Sequence, residues 1–418
     1  MSNHHGAELI ACHECDHLHE VEAIPEGARA NCAHCGAFLY RNTPGSLDRS
    51  LALYLAALVL FLIANCFPFL SLELGGRVVE NVLLSGGLSL YRLGMGELGL
   101  LIFLTSILFP FLVITGMLYL IIPARIGFEP RAMGPVYRMV YALTPWSLIG
   151  VFMLAVLISI VKLQDLATVM TGISLYALLA LLIVYTAARA SFDPRALWAV
   201  SSFRAQPLRQ GPDGEYEPFL NCHVCGLLTP YDEHTHSCPR CNAPIHYRKV
   251  NSISRTWALI FSATVLLVPA NVYPVMTVIR FGRGEPNTIL SGIVHLIESG
   301  MWGLGLIVFV ASIVVPFLKL IVLTFLLISI EKGWSWAPRD RTLLYRVTEV
   351  VGAWSMVDIF LVGLLSALVS LEALSTIKPG IGATFFGAVV VITMFAAQSF
   401  DPRLIWDSLA AADGNDGD

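Results

Sequence analysis

The sequence predicts an all-α polytopic membrane protein: eight transmembrane helices arranged as a tandem parallel repeat of four, each repeat preceded by a small four-cysteine ribbon. Three observations predict it. Of 418 residues, 56% are hydrophobic and 13% charged, with a mean hydropathy of +0.71, which is outside the range of soluble domains. The apolar residues collect in eight runs, each near the ~20 residues that cross a ~30 Å hydrocarbon core. Most motifs also occur twice, about 208 residues apart, which marks a duplication.

The repeat is read from matched pairs. Cys12-x2-Cys15 and Cys32-x2-Cys35 return as Cys222-x2-Cys225 and Cys238-x2-Cys241. Asn65-Cys-Phe-Pro68 returns as Asn271-Val-Tyr-Pro274, and Leu84-Ser-Gly86 as Leu290-Ser-Gly292. Pro110 matches Pro316, and Ser191-Phe-Asp-Pro-Arg195 returns unchanged as Ser399-Phe-Asp-Pro-Arg403. The chain divides into a ribbon (1–48), a four-helix module (49–200), a linker with the second ribbon (201–250), a second module (251–410) and a short acidic tail (411–418). Spans are expected at 51–70, 98–122, 146–166 and 169–190, then at 256–275, 303–330, 351–370 and 383–399. An even number per half returns the chain to the side it left, so the repeats are parallel. The far-side loops 71–97 and 276–302 are long enough to form a small cap.

Lys and Arg set the orientation. With both ribbons inside, 19 of the 26 basic residues fall on the cytosolic side, six on the other, and Lys319 lies within a span. The N-terminus lacks a basic region followed by an apolar core, so no cleavable signal is expected.

The Cys-x-x-Cys pairs present four thiolates per ribbon, a set that suits a closed, structural Zn2+ site. Gly36 and Gly226 follow a second cysteine, where a knuckle turn needs positive φ. The many histidines nearby read as surface residues. Redox-active thiols are a weaker alternative, because no thioredoxin-like unit surrounds them.

In the spans, Asn65 with Pro68 and Asn271 with Pro274 end or break the first helix of each half, since proline frees the carbonyl four residues back. Such a break can also line a cavity. Pro110 and Pro316 interrupt the second spans, with Ser106 and Ser312 four residues before them. Ser312 is two turns from Lys319 on the same face. Lys319 and Asp358 are full charges deep in apolar runs, where each costs at least a few kcal/mol. Their first-half counterparts are Val113 and Gly150, so only the second copy is charged. The expectation is that Lys319 and Asp358 face each other at similar depth, joined by Ser312, Ser355 and Thr393. They form a packing ion pair, a proton-titrating relay or a direct site for an anionic headgroup. Trp198 and Trp406 are expected at headgroup level, and Lys162 with Asp165 as an interfacial pair. No Walker, His-Glu-x-x-His or Gly-x-Ser-x-Gly motif occurs, so no enzymatic activity is expected.

The duplicated unit of ribbon, four spans, Asn-x-x-Pro, Leu-Ser-Gly and a closing Ser-Phe-Asp-Pro-Arg resembles the paraquat-inducible protein A family, nearest its LetA-like branch. The resemblance covers about residues 8–408. It implies a bacterial inner-membrane protein with cytosolic termini and zinc ribbons that exchanges phospholipid with a periplasmic MCE-domain tunnel protein. It also implies that Ser312, Lys319, Ser355, Asp358 and Thr393 carry a proton-linked network. The second ribbon departs from the usual template in its shorter gap between knuckles. A membrane scaffold with a structural ion pair, or a membrane thiol oxidoreductase of the oxidative-stress response, are the readings that remain beside transport.

Overall fold

The computed structural model describes residues 9–74, 77–164, 168–211, 216–232, 234–280, 283–368 and 375–407. Asp165 and the acidic tail lie outside the described residues. The first half begins with strands β1 (Leu9–Ala11), β2 (Leu18–Glu20), β3 (Arg29–Asn31) and β4 (Phe38–Arg41), the hairpins of the first ribbon. There follow α1 (Ser46–Cys66), β5 (Leu70–Leu74), β6 (Arg77–Asn81), α2 (Leu83–Arg92), α3 (Gly96–Phe103) and α4 (Phe109–Arg125). The half continues through α5 (Met133–Leu143), α6 (Ile149–Gln164), β7 (Thr168–Thr171), α7 (Ile173–Ser191) and α8 (Pro194–Trp198).

The second half repeats the plan. It runs β8 (Phe219–Asn221), β9 (Leu228–Pro230), α9 (Ser252–Val272), β10 (Met276–Arg280), β11 (Arg283–Asn287), α10 (Ile289–Glu298) and α11 (Trp302–Phe309). It ends with α12 (Val315–Glu331), α13 (Pro338–Gly352), α14 (Val357–Leu368), β12 (Ser375–Pro379) and α15 (Ile381–Ser399). Among the described residues, eight helical segments are long and apolar enough to cross a membrane, four per half.

Three features differ from expectation. The far-side loops form sheets: β5 pairs antiparallel with both β6 and β7, and β10 with both β11 and β12. Each sheet ties the loop after the first span to the loop before the fourth. The third spans begin well before 146 and 351, at Met133 and Pro338, and turn through a short 3-10 segment at Thr144–Trp146 and Ala353–Met356. Hydropathy missed those starts because α13 carries Arg341, Arg346 and Glu349. In the second spans, Pro110 and Pro316 are preceded by π turns at Leu104–Leu108 and Val310–Val314. A π turn absorbs the hydrogen bond that proline cannot make without breaking the helix.

Within each half, the first and fourth spans pack together, α1 on α7 and α9 on α15. The third spans, α6 and α14, meet across the halves. The α2–α3 hairpin of the first half also leans on α14, where the backbone of Gly363 lies 3.7 Å from a Cβ built on Gly86.

Candidate functional site

The cysteines of each ribbon converge. Cys12 Sγ lies 3.4 Å from Cys35 Sγ and Cys15 Sγ 3.6 Å from Cys32 Sγ. In the second ribbon, Cys222–Cys241 and Cys225–Cys238 approach to 3.6 and 3.5 Å. All four sulfurs of each set lie within 4.8 Å of one another. A tetrahedron of ~2.3 Å metal–sulfur bonds has edges of about 3.8 Å, so both sets fit one metal ion. The shorter gap in the second ribbon does not spoil its geometry. Each knuckle closes with a positive φ after its second cysteine, at Asp16 (56°), Gly36 (74°), Gly226 (68°) and Asn242 (57°). Glycine was the legible half of that signal; Asp and Asn are among the few other residues enriched in the left-handed region.

Each ribbon docks on the opposite membrane half. His34 of the first ribbon packs 4.2 Å from the Trp406 ring, and Arg346 grips Glu14 through two hydrogen bonds of 3.0 and 2.6 Å. The equivalent position in the second ribbon, Arg240, lies 4.7 Å over the Trp198 ring of the first half. Arg138 there donates to the Asn242 carbonyl at 2.6 Å. Trp198 and Trp406 are therefore buried docking platforms, which corrects the headgroup assignment.

Asp16 is where the two ribbons and the second half meet. Its carboxylate accepts from Arg248 at 2.5 Å and from Arg403 at 3.2 Å. Arg403 also pairs with Asp401 at 2.9 Å and donates to His223 Nε2 at 3.0 Å. Burial alone would push the Asp401 carboxyl up, but Arg403 holds it down, to about 2. Burial and the neighbouring guanidinium hold His223 down, to about 4, so the neutral ring can accept the bond. Of this ionic hub the sequence singled out Asp401 and Arg403, as part of the repeated closing motif, and neither Asp16 nor Arg248.

Inside the membrane, the expected facing of Lys319 and Asp358 is not found. The Lys319 side chain is 2% exposed, and its ammonium donates to Thr393 Oγ1 at 3.1 Å. It packs so closely on Gly352 that a Cβ there would stand 2.8 Å from Nζ. Among the described residues no ion pair joins Lys319 to Asp358. The reason is depth. Lys319 is level with Gly352, and Asp358 comes six residues later, roughly 9 Å further along the span. The late placement of the third span's start hid this offset. Ser355 Oγ is buried without a hydrogen-bond partner, and Ser312 Oγ bonds the Val308 carbonyl at 2.6 Å. The structure thus brings together Lys319 and Thr393, and sets Asp358 one layer above them.

The Asn-x-x-Pro motifs end α1 and α9, and the chain passes straight into β5 and β10. Asn65 donates to the Phe61 carbonyl at 2.8 Å and Asn271 to the Leu267 carbonyl at 2.9 Å. In the first half, Ser174 donates to the Ala64 carbonyl that Pro68 frees. Sequence reasoning missed Gly172 and Gly380, where a Cβ would overlap the carbonyl oxygens of Pro68 and Pro274. Their only signal is that both precede the fourth span at the same repeat offset.

The family model described as Paraquat-inducible protein A matches the chain twice, over residues 47–201 and 253–410. The chain is 34% identical over 410 residues to the Intermembrane transport protein PqiA of Escherichia coli (strain K12), covering 97% of each. It is 32% identical over 397 residues to the Lipophilic envelope-spanning tunnel protein A of the same strain, covering 95% of this chain and 91% of that one. A Probable intermembrane transport protein of Haemophilus influenzae is 27% identical over 404 residues, 96% of each. No solved structure matches.

Proposed function

The chain belongs to the paraquat-inducible protein A family, and we propose that it is an inner-membrane protein that exchanges phospholipid with a periplasmic MCE-domain tunnel protein. Protonation of a network centred on Lys319 drives the exchange. The observation that carries this reading is an ammonium 2% exposed in mid-span, held by the Thr393 hydroxyl. An amine so placed is costly to keep charged, and such groups mark ion and proton pathways. Thr393 holds the ammonium directly, and Asp358 supplies a second titratable group one layer nearer the far side, toward which Ser312 also lies two turns along its own span. The names of two relatives, an intermembrane transport protein and a lipophilic envelope-spanning tunnel protein, support lipid as cargo. The Lys and Arg asymmetry supports cytosolic ribbons and termini. Each ribbon holds one Zn2+ as a structural clip, because four thiolates leave no open position.

Reconstitution tests this reading. Lys319→Met, folded and metal-loaded, is expected to lose lipid transfer from proteoliposomes by at least about tenfold. Wild-type rates from that variant would leave a scaffold with a packed amine. Copurification of the tagged full chain with an MCE-domain protein tests the partner separately.

A further inference from the structure

The glycine packed against Lys319 is not required by the backbone. Gly352 ends α13 and caps the 3-10 segment Ala353–Met356 with φ −57° and ψ −31°. These are ordinary right-handed values, which alanine adopts at a lower entropic cost. What sets the position apart is its neighbour. The three atoms nearest a Cβ built on Gly352 all belong to one side chain: Nζ, Cε and Cδ of Lys319, at 2.8, 3.0 and 3.5 Å. The first half makes the complementary choice. The offset that matches Trp354 to Trp146 matches Gly352 to Thr144, which opens the corresponding 3-10 segment. Lys319 is matched by Val113, and α4 packs on that segment as α12 does on its own. The short valine is paired with a residue that has a side chain, and the long lysine with one that has none.

We propose that Gly352 is the positioning residue for the Lys319 amine, an inference that rests on the lipid-exchange reading above. Its missing side chain leaves the notch in which the ammonium lies while it donates to Thr393 Oγ1 at 3.1 Å. Thr393 is anchored in turn, its hydroxyl donating to the Val390 carbonyl at 2.9 Å. A 3-10 segment has three residues per turn, so Gly352 and Ser355 share an edge. The notch therefore leads toward the Ser355 hydroxyl, which is buried without a partner among the described residues, and then toward Asp358. The other titratable groups nearest the notch are Glu349 and Tyr345 on α13, one and two turns before Gly352. Arg346 is turned to Glu14, and Arg255 lies in the first turn of α9. The π turn, the 3-10 segment and α15 contribute no charged residue.

The test is a set of full-length variants. Gly352→Ala meets only the far end of a flexible side chain, so the chain should fold and the amine should move off Thr393. Losing a hydrogen bond to a charged group corresponds to about tenfold. Lipid transfer from proteoliposomes should fall by that factor, with its pH profile displaced from that of the wild type. Unfolding midpoints in detergent give a second readout that does not depend on transport. In a Lys319→Val background, Gly352→Ala should raise the midpoint, as alanine for glycine in a helix does when nothing opposes it. With the lysine present that gain should be absent. Wild-type transfer with an unchanged pH profile from Gly352→Ala overturns the inference. The same midpoint change in both backgrounds also overturns it, since the glycine would then serve the backbone or another neighbour. Absence of transfer from the wild type defeats the exchange reading itself, while the midpoints still decide whether Gly352 and Lys319 are matched.

Discussion

The two halves share a frame and spend it differently. Where the second half carries Lys319 against Thr393, the first carries Val113, and Tyr185 stands at the position of Thr393 with its hydroxyl donating to Ser147 at 3.2 Å. Where the second half has Asp358, the first has Gly150. The closing Ser-Phe-Asp-Pro-Arg is identical in both, yet Arg195 is 32% exposed and Arg403 only 2%. In the first half the motif is a helix cap, with Asp193 Oδ1 accepting from Arg195 N at 2.9 Å. In the second it is the hub that receives Asp16 from one ribbon and His223 from the other. Identical sequence thus takes a different role from what is docked upon it.

The sharpest way to break that contrast is at the hub. Removing one partner of a buried ion pair costs about 3–5 kcal/mol, whereas an exposed pair is worth ~1 kcal/mol or less. Arg403→Ala should therefore lower the unfolding midpoint in detergent far more than Arg195→Ala. Acid sharpens the same point. The folded Asp401 carboxyl lies below its ordinary value, at about 2, so its contribution is present above the ordinary value near 4. It is lost as pH falls from there toward 2. The stability gap between wild type and Asp401→Asn should narrow across that window.

Charging the first half is the next largest change. Val113→Lys places an ammonium in a layer where the Tyr185 hydroxyl, at the position of Thr393, already donates to Ser147, at a cost of at least ~2.5 kcal/mol, read as a lower midpoint and lower yield. The reverse substitution, Lys319→Met, should leave folding intact or improve it while removing transport.

A smaller effect should be symmetric. Gly172→Ala and Gly380→Ala each force a Cβ into a proline-turn carbonyl, and about 1–3 kcal/mol is expected in both halves alike. The smallest is asymmetric again. Ser174→Ala leaves the Ala64 carbonyl without its donor for about 1 kcal/mol. The second half has Gly382 at that position, where the chains approach too closely for a side chain.

Local chemistry was the legible part of this molecule. Paired cysteines, apolar run lengths and repeat offsets are properties of short stretches, and they gave the ribbons, the eight spans and the duplication. The crossing of the ribbons was not legible, because exchanging them between halves leaves every sequence offset unchanged. It depends on Trp198 and Trp406, which alone read as interface anchors. The relation of Lys319 to Asp358 failed for a related reason. Hydropathy counts depth from where apolarity starts, while α13 starts thirteen residues earlier on charges that face the first ribbon. Asp16 was hidden inside a metal knuckle, where its backbone conformation matters locally and its carboxylate matters elsewhere.

The central claim is that one amine in the second half makes lipid exchange sensitive to protons. Lipid transfer from proteoliposomes, measured across a pH series for the wild type and Lys319→Met, addresses it directly. The account predicts a wild-type rate that changes with pH and a variant that is slow at every pH. A Lys319→Met chain that moves lipid at the wild-type rate with the same pH profile would contradict it.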